Sequence, residues 1–159
     1  MKISAQEEYG LRCLVQLAGL RSGDSLTLPQ IAEREGISTA NAGKLMWLLN
    51  KAGFVQSTRG TKGGYFLARP ASEIRLSEII RVLDHDVVNK HCDSYTGVLD
   101  SCVHNGDCGI RPVIVGLHEI VENALSQITL AQMVGNERSV DEMFHSIQGI
   151  HRTIEPLRN

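Results

Sequence analysis

Three cysteines, Cys92, Cys102 and Cys108, fall within 17 residues of one another, with nine residues between the first two and five between the last two. Thiolates gathered in this way are the soft donors that hold iron–sulfur centres and zinc. Gly97, Gly106 and Gly109 lie in the same stretch and let the backbone wrap closely around a compact group. Zinc sites usually carry Cys-x-x-Cys knuckles, and this stretch has none. Spacing alone leaves four readings open: an iron–sulfur centre, which it favours, a zinc site, a thiol–disulfide switch, or cysteines without chemistry. Cys13 stands apart, inside the apolar run Leu11–Leu17, and reads as a small buried hydrophobe.

A second chemistry is carried by charge. Residues 1–69 hold nine Lys/Arg against five Asp/Glu, and residues 70–159 hold seven against thirteen. The net charge of −2 thus conceals a first half at +4 and a second at −6. Five basic residues and no acid lie between Lys44 and Arg69. Such a stretch suits a polyanion, because Lys and Arg release counterions condensed on phosphates. A solvated basic face is the plainer alternative.

The elements around these residues sharpen that choice. Leu11, Leu14, Val15, Leu17, Ala18 and Leu20 repeat with helical spacing over residues 7–21. Thr27-Leu28-Pro29 opens a short second helix that runs from Pro29 to Glu35 and stops at Gly36. Ser38 caps a third, with Leu45, Leu48, Leu49 and Ala52 as its apolar stripe and Gly53 at its end. Helices two and three, joined by Glu35-Gly36-Ile37-Ser38, form a helix-turn-helix pattern. Two β-prone runs follow, residues 54–57 and 65–68, and the link between them is basic and glycine-rich, with Arg59 and Lys62 at its tip. Helix-turn-helix plus basic hairpin is a winged helix. Ser38, Thr39, Asn41 and Lys44 are expected to meet base edges and phosphates in a major groove, and Arg59 and Lys62 to bind beside it.

Residues 75–83 read as a further short helix, with Leu76, Ile79, Ile80 and Leu83 on its apolar face. A long helix starts at Pro112, and Leu117, Ile120, Val121, Ala124, Leu125 and Ile128 form a continuous stripe along it. Too little chain surrounds this helix to cover the stripe, so dimerisation through it is expected, which suits two-fold operators. The resulting fold class is mainly α with a small β-wing. It comprises a winged domain (1–84), a cysteine-rich loop (85–111), a dimerisation helix with its following turn (112–134) and a polar tail (135–159). Within the tail, residues 140–150 are weakly helical and are left unassigned.

With 159 residues, 42% of them hydrophobic and 21% charged, the chain falls in the globular range, with a core of Leu, Ile, Val and Ala because aromatics are only 4%. No run approaches 18 apolar residues, and Glu7 and Glu8 stand where a leader would be apolar. A cytoplasmic protein without a membrane partner is the expectation. Nothing resembles a nucleotide loop, catalytic dyad or substrate-pocket motif, so an enzyme or electron-transfer reading is disfavoured.

Several short stretches together resemble the IscR/NsrR family of bacterial winged-helix regulators. These are Met1-Lys2-Ile3-Ser4 with Tyr9-Gly10-Leu11-Arg12, Ile31-Ala32-Glu33, Ala52-Gly53-Phe54-Val55, Arg59-Gly60 with Gly63-Gly64-Tyr65, Ile128-Thr129-Leu130, and the three cysteines. The likeness runs in order from residue 1 to about residue 134. It implies a homodimeric transcription factor that binds palindromic promoters and carries an iron–sulfur cluster, of the two-iron or four-iron kind, whose state alters DNA affinity. Cluster supply, nitric oxide and redox state are the signals in such proteins.

Two departures bear on the ligands. The family usually places five residues between its first two cysteines, where this chain has nine. One branch has a histidine three residues after the last cysteine, where this chain has Arg111. In other branches the fourth ligand is a carboxylate near the N-terminus, and Glu8 occupies that place; His91 and His104 are local competitors. A cluster-free regulator of the same fold, switched by thiol oxidation or by a partner protein, is the alternative.

Overall fold

The computed structural model describes residues 3–58, 60, 63–83, 98–99, 101–104 and 106–148. Arg59, Lys62, His91 and Cys92 lie outside the described residues, as does the boundary drawn at residues 84 and 85.

Helix α1 spans Ala5–Ala18 and begins with a reciprocal cap. The Glu7 amide donates to Ser4 Oγ at 3.2 Å, and the Ser4 amide donates to Glu7 Oε2 at 2.7 Å. Two donors that a helix start leaves without partners are thereby satisfied. Helix α2, Leu28–Glu35, opens on the same kind of cap between Thr27 and Gln30 and carries Pro29 in its first turn. It ends at Gly36, whose φ of 64° is left-handed and suits a residue without a Cβ. Helix α3, Thr39–Lys51, follows at once under a Ser38 cap. Strands β1, Val55–Ser57, and β2, Tyr65–Leu67, pair antiparallel with Val55 opposite Leu67 and Ser57 opposite Tyr65. Leu26 extends this small sheet by bridging Tyr65, with reciprocal amide–carbonyl bonds of 3.0 and 2.7 Å.

Helix α4 spans Leu76–Leu83, α5 spans Ile110–Ser126 and α6 spans Glu137–Gln148. α5 begins two residues before the expected Pro112, which sits in the first turn where its missing N–H leaves no bond unmade. α6 is a finding against the unassigned tail: residues 137–148 form a full helix.

The core is shared by α1–α4 and the strands. Leu14, Ile31, Met46, Leu49, Ile74, Ile79, Leu83 and Leu130 are its largest fully covered side chains. On α3 the covered positions are Ala42, Leu45, Met46 and Leu49. The expected stripe is therefore rotated. Ala52 is exposed and Leu48 only half-buried, because α3 packs against both α1 and α2 and turns Ala42 and Met46 inward.

The chain after α5 rejoins this core. The Leu76 amide donates to the Ile128 carbonyl, and the Leu130 amide to the Ile74 carbonyl, each at 2.9 Å. Ile128 is 3% exposed within its own chain. It therefore belongs to the intrachain core rather than to a free stripe on the long helix, since residues 128–130 are drawn in beside 74–76.

Candidate nucleic-acid interface and metal centre

Ser38, Thr39, Asn41 and Lys44 are all exposed at the start of α3. The Ser38 hydroxyl accepts the Asn41 amide at 3.2 Å and keeps its own proton to donate. Helix α3 also exposes a residue that the reading of the sequence passed over: Trp47, 62% exposed, with Lys51 Nζ 5.2 Å from its ring centre. The signal was available as helical spacing, since Lys44, Trp47 and Lys51 recur at i, i+3 and i+7, opposite Ala42, Leu45, Met46 and Leu49.

Beside α3, the wing is held close to the loop before α2. A Cβ on Gly64 would lie 2.8 Å from the Leu26 carbonyl oxygen and from Ser25 Oγ, so only glycine fits without a backbone shift. Gly60 has a φ of 116°, a conformation suited to a residue lacking a Cβ at the hairpin tip.

The orientation of α2 and α3 is tied to α1 by a buried acid. Glu35, the last residue of α2, is 6% exposed. Its carboxylate accepts Arg12 Nε at 2.6 Å on one oxygen and Gln16 Nε2 at 2.7 Å on the other. Arg12 Nη1 also reaches Glu8 Oε1, more loosely, at 3.4 Å. The two carboxylates beside Arg12 hold its guanidinium pKa above the ordinary value, with Glu35 the main cause.

The predicted ligands are placed unevenly. Cys102 and Cys108 are free, half-buried thiols ahead of α5. His104 is exposed in the same segment, and Glu8 is exposed on α1. Among the described residues no three His, Cys, Asp or Glu side chains are gathered as a metal site. The donor chemistry nonetheless fits a soft metal centre: two reduced, accessible thiols six positions apart. Cys13 does not belong with them. It is fully buried, and burial pushes its thiol from 9.0 up to about 11.

On α5 no residue is buried by the chain itself. Leu117 and Ile120 are 59% and 66% exposed, whereas Val121, Ala124 and Leu125 are half-buried. α5 packs along α4, and an Arg81–Glu122 ion pair joins the two helices. Among the described residues, no helix is long and apolar enough to cross a membrane.

Comparison with known proteins agrees with this architecture. The chain is 30% identical over 141 residues to the HTH-type transcriptional regulator IscR of Klebsiella pneumoniae (strain 342), covering 89% of this chain and 84% of that protein. Among solved structures, it is similar to IscR of T. potens, with a TM-score of 0.67 and 33% identity over 84% of this chain and 86% of that one. It is also similar to CymR (YrzC), the global cysteine regulator of B. subtilis, with a TM-score of 0.65 and 28% identity over 84% and 96% of the two chains. These relatives are named as regulators rather than enzymes. The family described as "Rrf2: Iron-dependent Transcriptional regulator" matches residues 3–136, and with its six described helices and two-stranded wing the chain belongs to this Rrf2 family of winged-helix transcriptional regulators.

Proposed function

We propose that the chain acts in the cytoplasm as a homodimer on palindromic DNA, and that an iron–sulfur cluster held by Cys92, Cys102 and Cys108, with Glu8 as fourth ligand, sets its operator affinity. The observation that carries the metal reading is the pair of free, half-buried thiols Cys102 and Cys108 immediately before α5, in a family described as iron-dependent. When bound, the cluster supplies a centre that reacts with oxidants or nitric oxide. Everything else is done by the chain. Ser38, Thr39, Asn41 and Lys44 present donors and charge to the major groove, while Arg59 and Lys62 reach the flanking groove or backbone. Glu35 fixes the end of α2 against α1. Leu117 and Ile120 leave apolar surface in water unless a second α5 covers it, and Val121, Ala124 and Leu125 border that seam.

Glu8 suits a ligand that can leave. Its carboxylate is exposed, its one contact among the described residues is the 3.4 Å approach to Arg12, and carboxylate is a harder partner for iron than thiolate. His91 and His104 are the alternatives.

Iron and acid-labile sulfide analysis, with visible and Mössbauer spectra on anaerobically purified protein, tests this reading. A brown protein is expected, and Cys102→Ala and Cys108→Ala should lose the colour while Cys13→Ala keeps it. Colourless protein without iron or sulfide would favour the second reading, a cluster-free regulator switched through its thiols. The likeness to CymR, named as a cysteine regulator, is what speaks for that reading.

A further inference from the structure

One side of α3 is apolar and covered by Ala42, Leu45, Met46 and Leu49. The opposite side, at spacings that bring residues onto one line, carries Ala40, Lys44, Trp47 and Lys51, all exposed. A large indole displayed in water at 62% exposure, between two lysines, is a poor arrangement for a free surface. It exposes apolar area, and among the described residues the one cation over its face is the Lys51 ammonium, 5.2 Å from the ring centre. An apolar protein partner is disfavoured by the same neighbours, since burying the indole would bury Lys44 and Lys51 as well, and among the described residues neither lysine is in an ion pair. A polyanion with an apolar floor removes both difficulties. Its phosphates take the two ammonium groups, and its floor takes the ring. The major groove of DNA is such a surface, because the 5-methyl group of thymine is its one apolar feature.

We propose that Trp47 is a specificity-determining residue of the DNA interface, packing its indole on a thymine methyl in the major groove while Lys44 and Lys51 hold the phosphates on either side. This rests on the proposed entry of α3 into that groove and adds a thymine-methyl contact beyond the base-edge and phosphate contacts proposed for Ser38, Thr39, Asn41 and Lys44. Trp47 is the only tryptophan in the chain, so its fluorescence reports this one position.

The test uses the full-length protein, purified anaerobically, and a duplex that the wild type selects from a random-sequence pool. Three results are expected. Tryptophan emission changes on binding. Trp47→Ala weakens binding about tenfold with the melting temperature unchanged, since the side chain supports no core. Replacing thymine by deoxyuridine in the duplex weakens wild type but leaves Trp47→Ala where it was. Lys44→Ala and Lys51→Ala should each lower the slope of log affinity against log salt by about one, and Trp47→Ala should leave that slope alone. If the duplex is bound with the lysine effects present, but emission and Trp47→Ala affinity do not change, the inference about Trp47 falls and the α3 reading stands. If Trp47→Ala weakens binding but both proteins respond alike to deoxyuridine, the methyl contact is overturned. A wild type that selects no duplex overturns the reading of α3 itself.

Discussion

Cys13 and Cys102 carry the same side chain in opposite surroundings. Cys13 is wholly covered by its neighbours, and removal from water raises its thiol pKa to about 11, with Glu35 adding to the rise and Arg12 opposing it. In metal-free protein at pH 8, iodoacetamide should label Cys102 and Cys108 and spare Cys13, as read by mass spectrometry of the folded protein. The same shift has a consequence for stability. The unfolded chain ionises near 9 and the folded one near 11, so whatever Cys13 contributes is intact below pH 9 and is lost as pH rises from 9 through about 11. The fall in melting temperature across that window should be shallower in Cys13→Ala than in wild type. The two glutamates around Arg12 separate in a similar way. Glu8 is exposed in a long ion pair that solvent screens, so Glu8→Ala should leave thermal stability nearly unchanged. Any change in the visible spectrum or in the rate of colour loss in air then reports ligation, and an unchanged spectrum returns the fourth position to His91, His104 or solvent. Glu35→Ala strands two side-chain donors and should cost about 1–3 kcal/mol in urea unfolding. Glu35 was visible in the sequence only as the last residue before a glycine. Its partners lie 23 and 19 residues upstream, and no local pattern encodes a contact at that separation.

At the scale of elements, the helix ends and the wing were the most legible parts, because each is written in neighbouring residues: Ser38 before α3, Pro29 inside α2, Gly36 after it. The inward face of α3 was less so. Ala52 and Leu48 fit the apolar spacing as well as Ala42 and Met46 do, and only the simultaneous packing on α1 and α2 decides between them. Helix α6 was legible only as a weakly helical patch at residues 140–150, because its apolar positions are few, with Val140 and Met143 half-buried and Phe144 still 41% exposed. Two substitutions test element contacts. Gly64→Ala forces a Cβ against the Leu26 carbonyl and Ser25, so the wing must shift. We expect a loss of about 1–3 kcal/mol and weaker DNA binding, with unfolding midpoints unaltered if the close approach is not needed. Ile120→Glu places a charge on the exposed stripe of α5. It should turn dimers into monomers in sedimentation velocity while leaving each protomer folded, because Ile120 supports no core of its own chain. A dimer surviving that change places the seam elsewhere.

For the whole molecule, the informative region is the short passage after α5. It was legible as a motif, Ile128-Thr129-Leu130, but not as a joint, since the sequence does not reveal that it bonds to residues 74–76. Leu130 is fully buried with α1 and the segment before α4, and Leu130→Ala should cost about 2–5 kcal/mol. The amides of Leu76 and Leu130 should exchange with deuterium only when the entire protein opens, which native-state exchange would read. That joint has a mechanical meaning. A helix clamped at its far end to the body that carries α3 is a crank and not a tether. Force applied near Cys108, one residue before Gly109 at the opposite end, can turn that body but cannot leave it behind. In a dimer joined along α5, the two recognition helices would then change their mutual angle together, with no slack between signal and grip.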